Sequence, residues 1–180
     1  MSLEELKYLH SLGWTISSHS WMHNFFNDDY NGHYCQAYND LKATHNWLID
    51  NGFESGSRCH VFGNHRRNKE TMKACLDIFT VDNSCEGSYD NFDTLPWGGN
   101  SIVRCDGEIH TAAEIKAIID TVASRKCLCT LFFHRISENP TGTEFGTDVL
   151  EDIISYAVSK ENLDLISMTD LLDCTPVALR

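Results

Sequence analysis

Basic residues are scarce in this chain of 180 residues: 14 Lys and Arg stand against 26 Asp and Glu, a formal net charge of -12. Such a surface repels phosphate backbones and anionic headgroups, so nucleic acid and anionic membrane surfaces are excluded as partners. Proline is also scarce, at 3 residues, and no apolar run approaches the ~20 residues of a membrane span. The opening Met1-Ser2-Leu3-Glu4-Glu5-Leu6 is acidic and amphipathic, which is not the pattern of a signal peptide. As it stands the chain reads as cytoplasmic; an upstream segment would make it exported or cell-surface.

No Cys-x-x-Cys pair is present, although there are 8 cysteines. Cys127 and Cys129 share a face of an apparent strand, with Cα atoms roughly 6.5–7 Å apart, at or past the reach of an easy disulfide. The cysteines therefore read as buried, reduced small hydrophobes. Length and a 42% hydrophobic composition fit one soluble domain with a single core.

Helix and strand signals alternate along the chain. A helix over 2–10 has Ser2 as its cap, Glu5 closing a capping box, a stripe of Leu3, Leu6, Leu9 and Leu12, and Gly13 as its stop. A strand over 14–18 follows, then an aromatic, Asn/Asp-rich loop over 24–34 and a helix over 35–50 ended by Asn51-Gly52. Strands are predicted over 58–63, 79–82, 101–105, 127–133 and 163–168. Helices are predicted over 68–78, 111–124 (a second capping box, Thr111 to Glu114) and 147–159, with a helical turn over 169–173. A long Gly/Asn/Asp-rich loop spans 84–100. Six alternations imply a parallel sheet with helical crossovers, the almost wholly apolar 127–133 being a strand covered on both faces. Six strands do not readily close a barrel.

Chemistry concentrates where these strands end. His19 and His23 stand four apart directly after the first strand, and neutral imidazoles at that spacing suit Zn, Fe, Co or Ni. Position 20 is Ser rather than Glu, so the His-Glu-x-x-His protease pattern fails. The competing reading is one core histidine beside one surface histidine. His134 follows Leu131-Phe132-Phe133 at the end of the apolar strand, where it serves as a general acid or merely bonds a carbonyl. The remaining histidines (10, 33, 45, 60, 65 and 110) show no ligand spacing and read as surface residues. Phe62-Gly63-Asn64 forms a turn whose backbone can approach a ligand. Trp97, in Leu95-Pro96-Trp97-Gly98-Gly99, offers either a sugar-stacking ring or loop packing.

The run from Gly13 through His19-Ser20-Trp21-Met22-His23 resembles the metal-binding His-Ser/Thr-x-x-His segment of the polysaccharide deacetylases, the NodB-homology group of carbohydrate esterase family 4. Val61-Phe62-Gly63 with 68–72 is similar to that family's third motif region, Ser101 to Arg104 to a segment of one branch, and Leu131 to His134 to its last motif. The resemblance runs through nearly the whole chain, but only the histidine segment is specific. It implies an α/β fold, an incomplete distorted (β/α) barrel of parallel strands and helices in one domain over 1–180. It further implies hydrolysis of N- or O-acetyl groups on a polysaccharide by a divalent metal, zinc first and cobalt or nickel as alternatives. His19 and His23 would bind that metal and His134 would protonate the leaving group; Phe62, Gly63, Trp97 and Arg104 would meet the substrate.

The departures are as specific as the match. The family's two aspartates lie on a first strand ahead of the histidines; only Glu4 and Glu5 precede His19 here. The third motif's arginine is represented by Arg58, one step out of register. The chain therefore reads as an N-terminally truncated member, with open strand edges at 14–18 and 163–168 that a second copy or a partner chain would cover. Asp82, Asp28 or Asp29 would be the substitute ligands. Two alternatives remain: a catalytically inactive carbohydrate-binding or assembly module with the same fold, and an unrelated metal hydrolase using Asp82 and Asp106.

Overall fold

The computed structural model describes residues 1–28, 32–84, 102–105 and 110–174, in two compact units. The first comprises Met1–Ser84 and Ser167–Cys174, the second Cys85–Ile166 and Thr175–Arg180.

In the first unit, α1 (Leu3–Ser11) starts where the capping box places it: Ser2 Oγ accepts the Glu5 N–H at 3.2 Å, and Glu5 accepts the Ser2 N–H at 2.5 Å. Leu3, Leu6 and Leu9 are half-buried, and Gly13 leaves the helix at φ +93°. Helix α2 (Tyr34–Asp50) buries Ala37, Leu41, Thr44 and Leu48, which recur at helical spacing. A β–α–β crossover follows: β1 (Cys59–His60), α3 (Lys69–Leu76) and β2 (Val81–Asp82). The two strands are parallel, with Cys59 opposite Val81 and His60 opposite Asp82. Asn68 caps α3 by accepting the Glu70 and Thr71 N–H groups. Phe26, Ala37, Leu41, Phe62, Ala74, Cys75 and Phe79 form this unit's core. α6 (Met168–Cys174) joins the unit, its Asp173 meeting Arg58 at 2.6 Å.

The second unit repeats the crossover with β3 (Ile102–Arg104), α4 (Ala112–Arg125) and β4 (Thr130–Phe132), again parallel. The predicted Thr111–Glu114 capping box is present. Strands β5 (Arg135–Ser137) and β6 (Glu144–Gly146) form a third parallel pair that leads into α5 (Thr147–Val158). Ile115, Ile119, Phe145, Ile153 and Ala157 are buried together, and the alternate residues Cys129, Leu131 and Phe133 pack against them. Residues 127–133 are all half-buried, so the expectation of a strand fully covered on both faces is corrected.

The helices match their sequence signals to within a few residues; the strands are shorter than their signals. Of the predicted strand over 14–18 only Ser18 pairs, bridging His60 through the Ser18 N–H to Cys59 O and the Val61 N–H to Ser18 O. Upstream, the Trp14 N–H is drawn back to Leu9 O and the Thr15 hydroxyl meets Thr169, so local and side-chain bonds replace a ladder. The predicted strand over 163–168 is not one: residues 163–167 are irregular. Ser167 and Asp170 exchange backbone-to-side-chain bonds, and that reciprocal cap turns the end of the segment into the start of α6.

One close approach ties the irregular stretch down. A Cβ at Gly56 would lie 1.8 Å from Ile16 O, so the turn at 56–58 can press on residues 16–17 only as glycine. Gly56→Ala is expected to cost about 2–4 kcal/mol, a fall in Tm of roughly 5–15 °C by calorimetry. An unchanged Tm would contradict the packing of residue 56 on Ile16.

Candidate functional site

At the C-terminal ends of the parallel row Ser18–β1–β2, two loops leave side by side, and parallel sheets build their sites at such ends. The loop after Ser18 carries His19 and His23. The loop after β1 carries a tight turn over Gly63–His65. The imidazole rings of His19 and His23 stand edge to face with centroids 4.9 Å apart, both exposed. His19 Nδ1 lies 2.8 Å from Val61 O. A carbonyl only accepts, so Nδ1 carries a proton; in a neutral ring Nε2 then holds the lone pair, the tautomer a metal-ligating histidine requires.

His23 is seated by glycine. A Cβ on Gly63 would stand 3.2 Å from His23 Cδ2 and Nε2, closer than a side chain sits comfortably. Around this contact the backbone is strained. Ser20 (φ 67°), His23 (52°), Asn64 (53°) and His65 (54°) are four of the five non-glycine residues with positive φ among the described residues. Such conformations cost of order 1–3 kcal/mol each and collect at functional sites.

Beneath the loops lies a buried polar row. His60, expected at the surface, is fully buried; its sequence context showed neither ligand spacing nor any signal of burial. The ring stacks on Phe79 and meets the edge of Phe62. Its Nδ1 shares a 2.9 Å hydrogen bond with the buried Ser18 hydroxyl, while Nε2 has no partner. Burial first, and then the neighbouring His19, push its pKa down to about 3. Opposite it, Asp82 accepts the Ser84 hydroxyl at 2.5 Å, and Ser84 in turn accepts the Phe62 N–H at 2.6 Å. Arg67 Nε stands 3.3 Å from Asp82 Oδ2, near enough for an ion pair but not aligned as a hydrogen bond. Burial outweighs the Ser84 and Arg67 contacts and raises the Asp82 carboxyl to about 6.

The other sequence-nominated residues take different places. Phe62 is fully buried against Phe26 and His60, and its N–H is already bonded to Ser84. Gly63 serves His23, as above. His134 belongs to the second unit, exposed just past β4, with its ring 4.8 Å from that of Phe132. Arg104 ends β3, paired with Phe132 in the backbone register. Trp97, Asp29 and Asp106 lie outside the described residues. Burial pushes the Cys59 thiol up to about 11 and raises Cys75 further, which keeps both as thiols rather than thiolate ligands. Among the described residues no three His, Cys, Asp or Glu side chains are grouped closely enough to hold a metal ion. The histidine pair fits half of a metal site.

Two features escaped the sequence reading. Asp40, in the middle of α2, accepts the backbone N–H groups of Trp21 and Met22, yet a helical carboxylate carries no motif. The role of Ser18 was equally hidden, since its partner is 42 residues away.

The buried pair gives stability a characteristic pH profile. Asp82 stays protonated in the fold up to about pH 6, against an ordinary 3.8, so its contribution is complete in acid and lost as pH rises through 6. His60 stays neutral down to about 3, against 6.5, so its contribution is complete above 6.5 and lost as pH falls. The two slopes oppose one another between roughly pH 4 and 6. Removing the Asp82 slope with Asp82→Asn should make Tm fall more steeply on acidification across that window than in the parent chain. Parallel Tm–pH curves would sink the assignment.

No protein-family model matches the chain, and no curated protein or solved structure is similar to it.

Proposed function

We propose that this chain carries the core of a metal-dependent deacetylase that removes N- or O-linked acetyl groups from a polysaccharide. The observation that carries the reading is the His19–His23 pair, with rings 4.9 Å apart and His19 oriented by the Val61 carbonyl. Two neutral imidazoles suit a borderline cation, zinc first, with cobalt or nickel as substitutes. When bound, such a cation polarises an acetyl carbonyl and makes a water molecule acidic near neutral pH. The chain's own part is to hold two nitrogens at fixed spacing, with Gly63 as the seat of His23. His134 keeps the role of general acid toward the leaving amine or alkoxide, and Trp97 and Arg104 that of sugar contacts, as the resemblance implies. The incomplete (β/α) barrel belongs to the same proposal; the parallel β–α–β crossover within each unit supports it.

A non-catalytic carbohydrate-binding or assembly module is the second reading. It is favoured by one feature: the carboxylates of Asp82 and Asp40 are already engaged, by Ser84 and Arg67 and by the Trp21 and Met22 amides. Among the described residues no helix is long and apolar enough to cross a membrane.

Metal analysis of the purified chain separates these readings. About one zinc per chain is expected, lost in the His19→Ala/His23→Ala double variant, since ligand removal abolishes such sites. No metal in either protein would overturn the metal reading. If metal is present, acetate release from acetylated chito-, xylo- or peptidoglycan oligosaccharides supports the deacetylase. Oligosaccharide binding without acetate release would instead make the chain a binding module.

A further inference from the structure

We infer that Asp40 is a positioning residue for the histidine pair: from α2 its carboxylate clamps the turn between His19 and His23 into the shape that brings the two rings together. Its Oδ1 accepts the Trp21 N–H at 2.8 Å and its Oδ2 accepts the Met22 N–H at 3.0 Å. Oδ2 also receives the Asn24 side-chain amide at 3.5 Å, just beyond the His23 backbone. Both carboxylate oxygens are thus committed to the three-residue interval and its exit, and charge-assisted bonds of this kind are about twice as strong as neutral ones.

The turn needs such a clamp because its own preferences oppose it. Ser20 (φ 67°) and His23 (φ 52°) both occupy the left-handed region, where side chains other than Gly and Asn pay a steric penalty. Within the turn the His23 N–H bonds Ser20 Oγ at 2.9 Å, and the Ser20 N–H reaches back to Ser18 Oγ at only 3.4 Å; neither bond holds Trp21 or Met22. Asp40 supplies the anchor. It lies between the buried Ala37 and Leu41 on α2, so its carboxylate is carried by an element fixed in the core. The His23 ring also meets Gly63, whose missing Cβ leaves the required space. Clamp and seat together determine where the His23 ring lies relative to His19.

The bearing of this on metal affinity rests on the function proposed above; its bearing on the shape of the pair does not. Nuclear Overhauser contacts between the His19 and His23 ring protons, recorded on the metal-free full chain, decide it. They are expected in the parent chain and lost in Asp40→Ala, with faster exchange of the Trp21 and Met22 amides. In Asp40→Asn, which keeps one acceptor oxygen, the ring contact should weaken and one of the two amides should lose protection. A merely structural Asp40 would lower Tm and leave the ring contact intact, and that result overturns the inference. Should Asp40→Ala not fold, an unchanged ring contact with full amide protection in Asp40→Asn overturns it equally. Zinc titration of the same proteins then reads the consequence: a loss of about 10–100-fold in affinity for the Asp40 variants, the usual effect of removing an outer support. A parent chain that binds no zinc would refute the metal reading alone, with Asp40 still decided by the ring contact.

Discussion

The first unit depends on a row of three paired backbone positions, Ser18, His60 and Asp82, running across strands too short to hold themselves. Each of β1 and β2 spans two residues, and Ser18 contributes a single bridge. So short a ladder has few bonds to fix its register, and a slip of one residue would turn every side chain to the opposite face. The register is held instead by side chains and loop amides. Ser18 bonds His60, Ser84 links Asp82 to the Phe62 N–H, and the Asn83 N–H reaches back to His60 O. Phe62 and Phe79 then cover His60 from two sides. Leaving His60 Nε2 and Asn83 Oδ1 buried without partners costs about 1–3 kcal/mol each, which the surrounding apolar burial offsets.

The histidine pair hangs from the ends of this row. Ser18 is followed at once by His19, and His60 by Val61, whose carbonyl orients His19. The loops that leave these two positions hold four left-handed non-glycine residues, a density of strain that no fold needs for its own sake. The strain persists because each loop is tied to something rigid: Ser20 to His23 by Asp40 on α2, and Gly63 to His65 by the His65 N–H to Phe62 O and by Arg67 to the His65 carbonyl. A rigid support beneath a strained loop is what lets two exposed imidazoles keep one mutual geometry.

How much of this the sequence disclosed follows from the range of the forces involved. Helices α1 and α4 were legible to within a residue of their starts because Ser2 and Thr111 cap them through bonds three residues away. Residues 14–17 and 163–167 carry the alternating apolar pattern of strands, but pairing is a long-range event. In the one case the backbone is engaged by the end of α1, in the other by the Ser167–Asp170 cap. Of the candidate site, His19 and His23 could be named from spacing alone. His60 could not, since nothing local distinguishes a histidine headed for the core from one headed for water. Asp40 was invisible for the same reason: its partners are 18 and 19 residues upstream.

Metal binding of the proposed kind would call for a carboxylate, and Asp82 and Asp40, two acids bonded to these loops or their supports, are already engaged. Two neutral imidazoles leave a divalent cation with its full charge, and zinc sites ordinarily add a third protein ligand. Asp82 is the acid at the end of its strand, yet Ser84 and Arg67 hold it. Burial also raises its carboxyl to about 6, so ionisation is less favoured there than in water. Drawing it onto a cation would uncouple Arg67 from its buried anion and free the Ser84 hydroxyl that fixes Phe62. Asp40 is committed to the Trp21 and Met22 amides, and a ligand role would cost the turn that sets His23. Each acid supports one side of the pair, Asp82 from beneath the Val61–Gly63 loop and Asp40 from behind the Ser20–His23 turn. If a metal binds here as proposed, Asp82 and Asp40 would serve it by supporting the pair rather than by coordination.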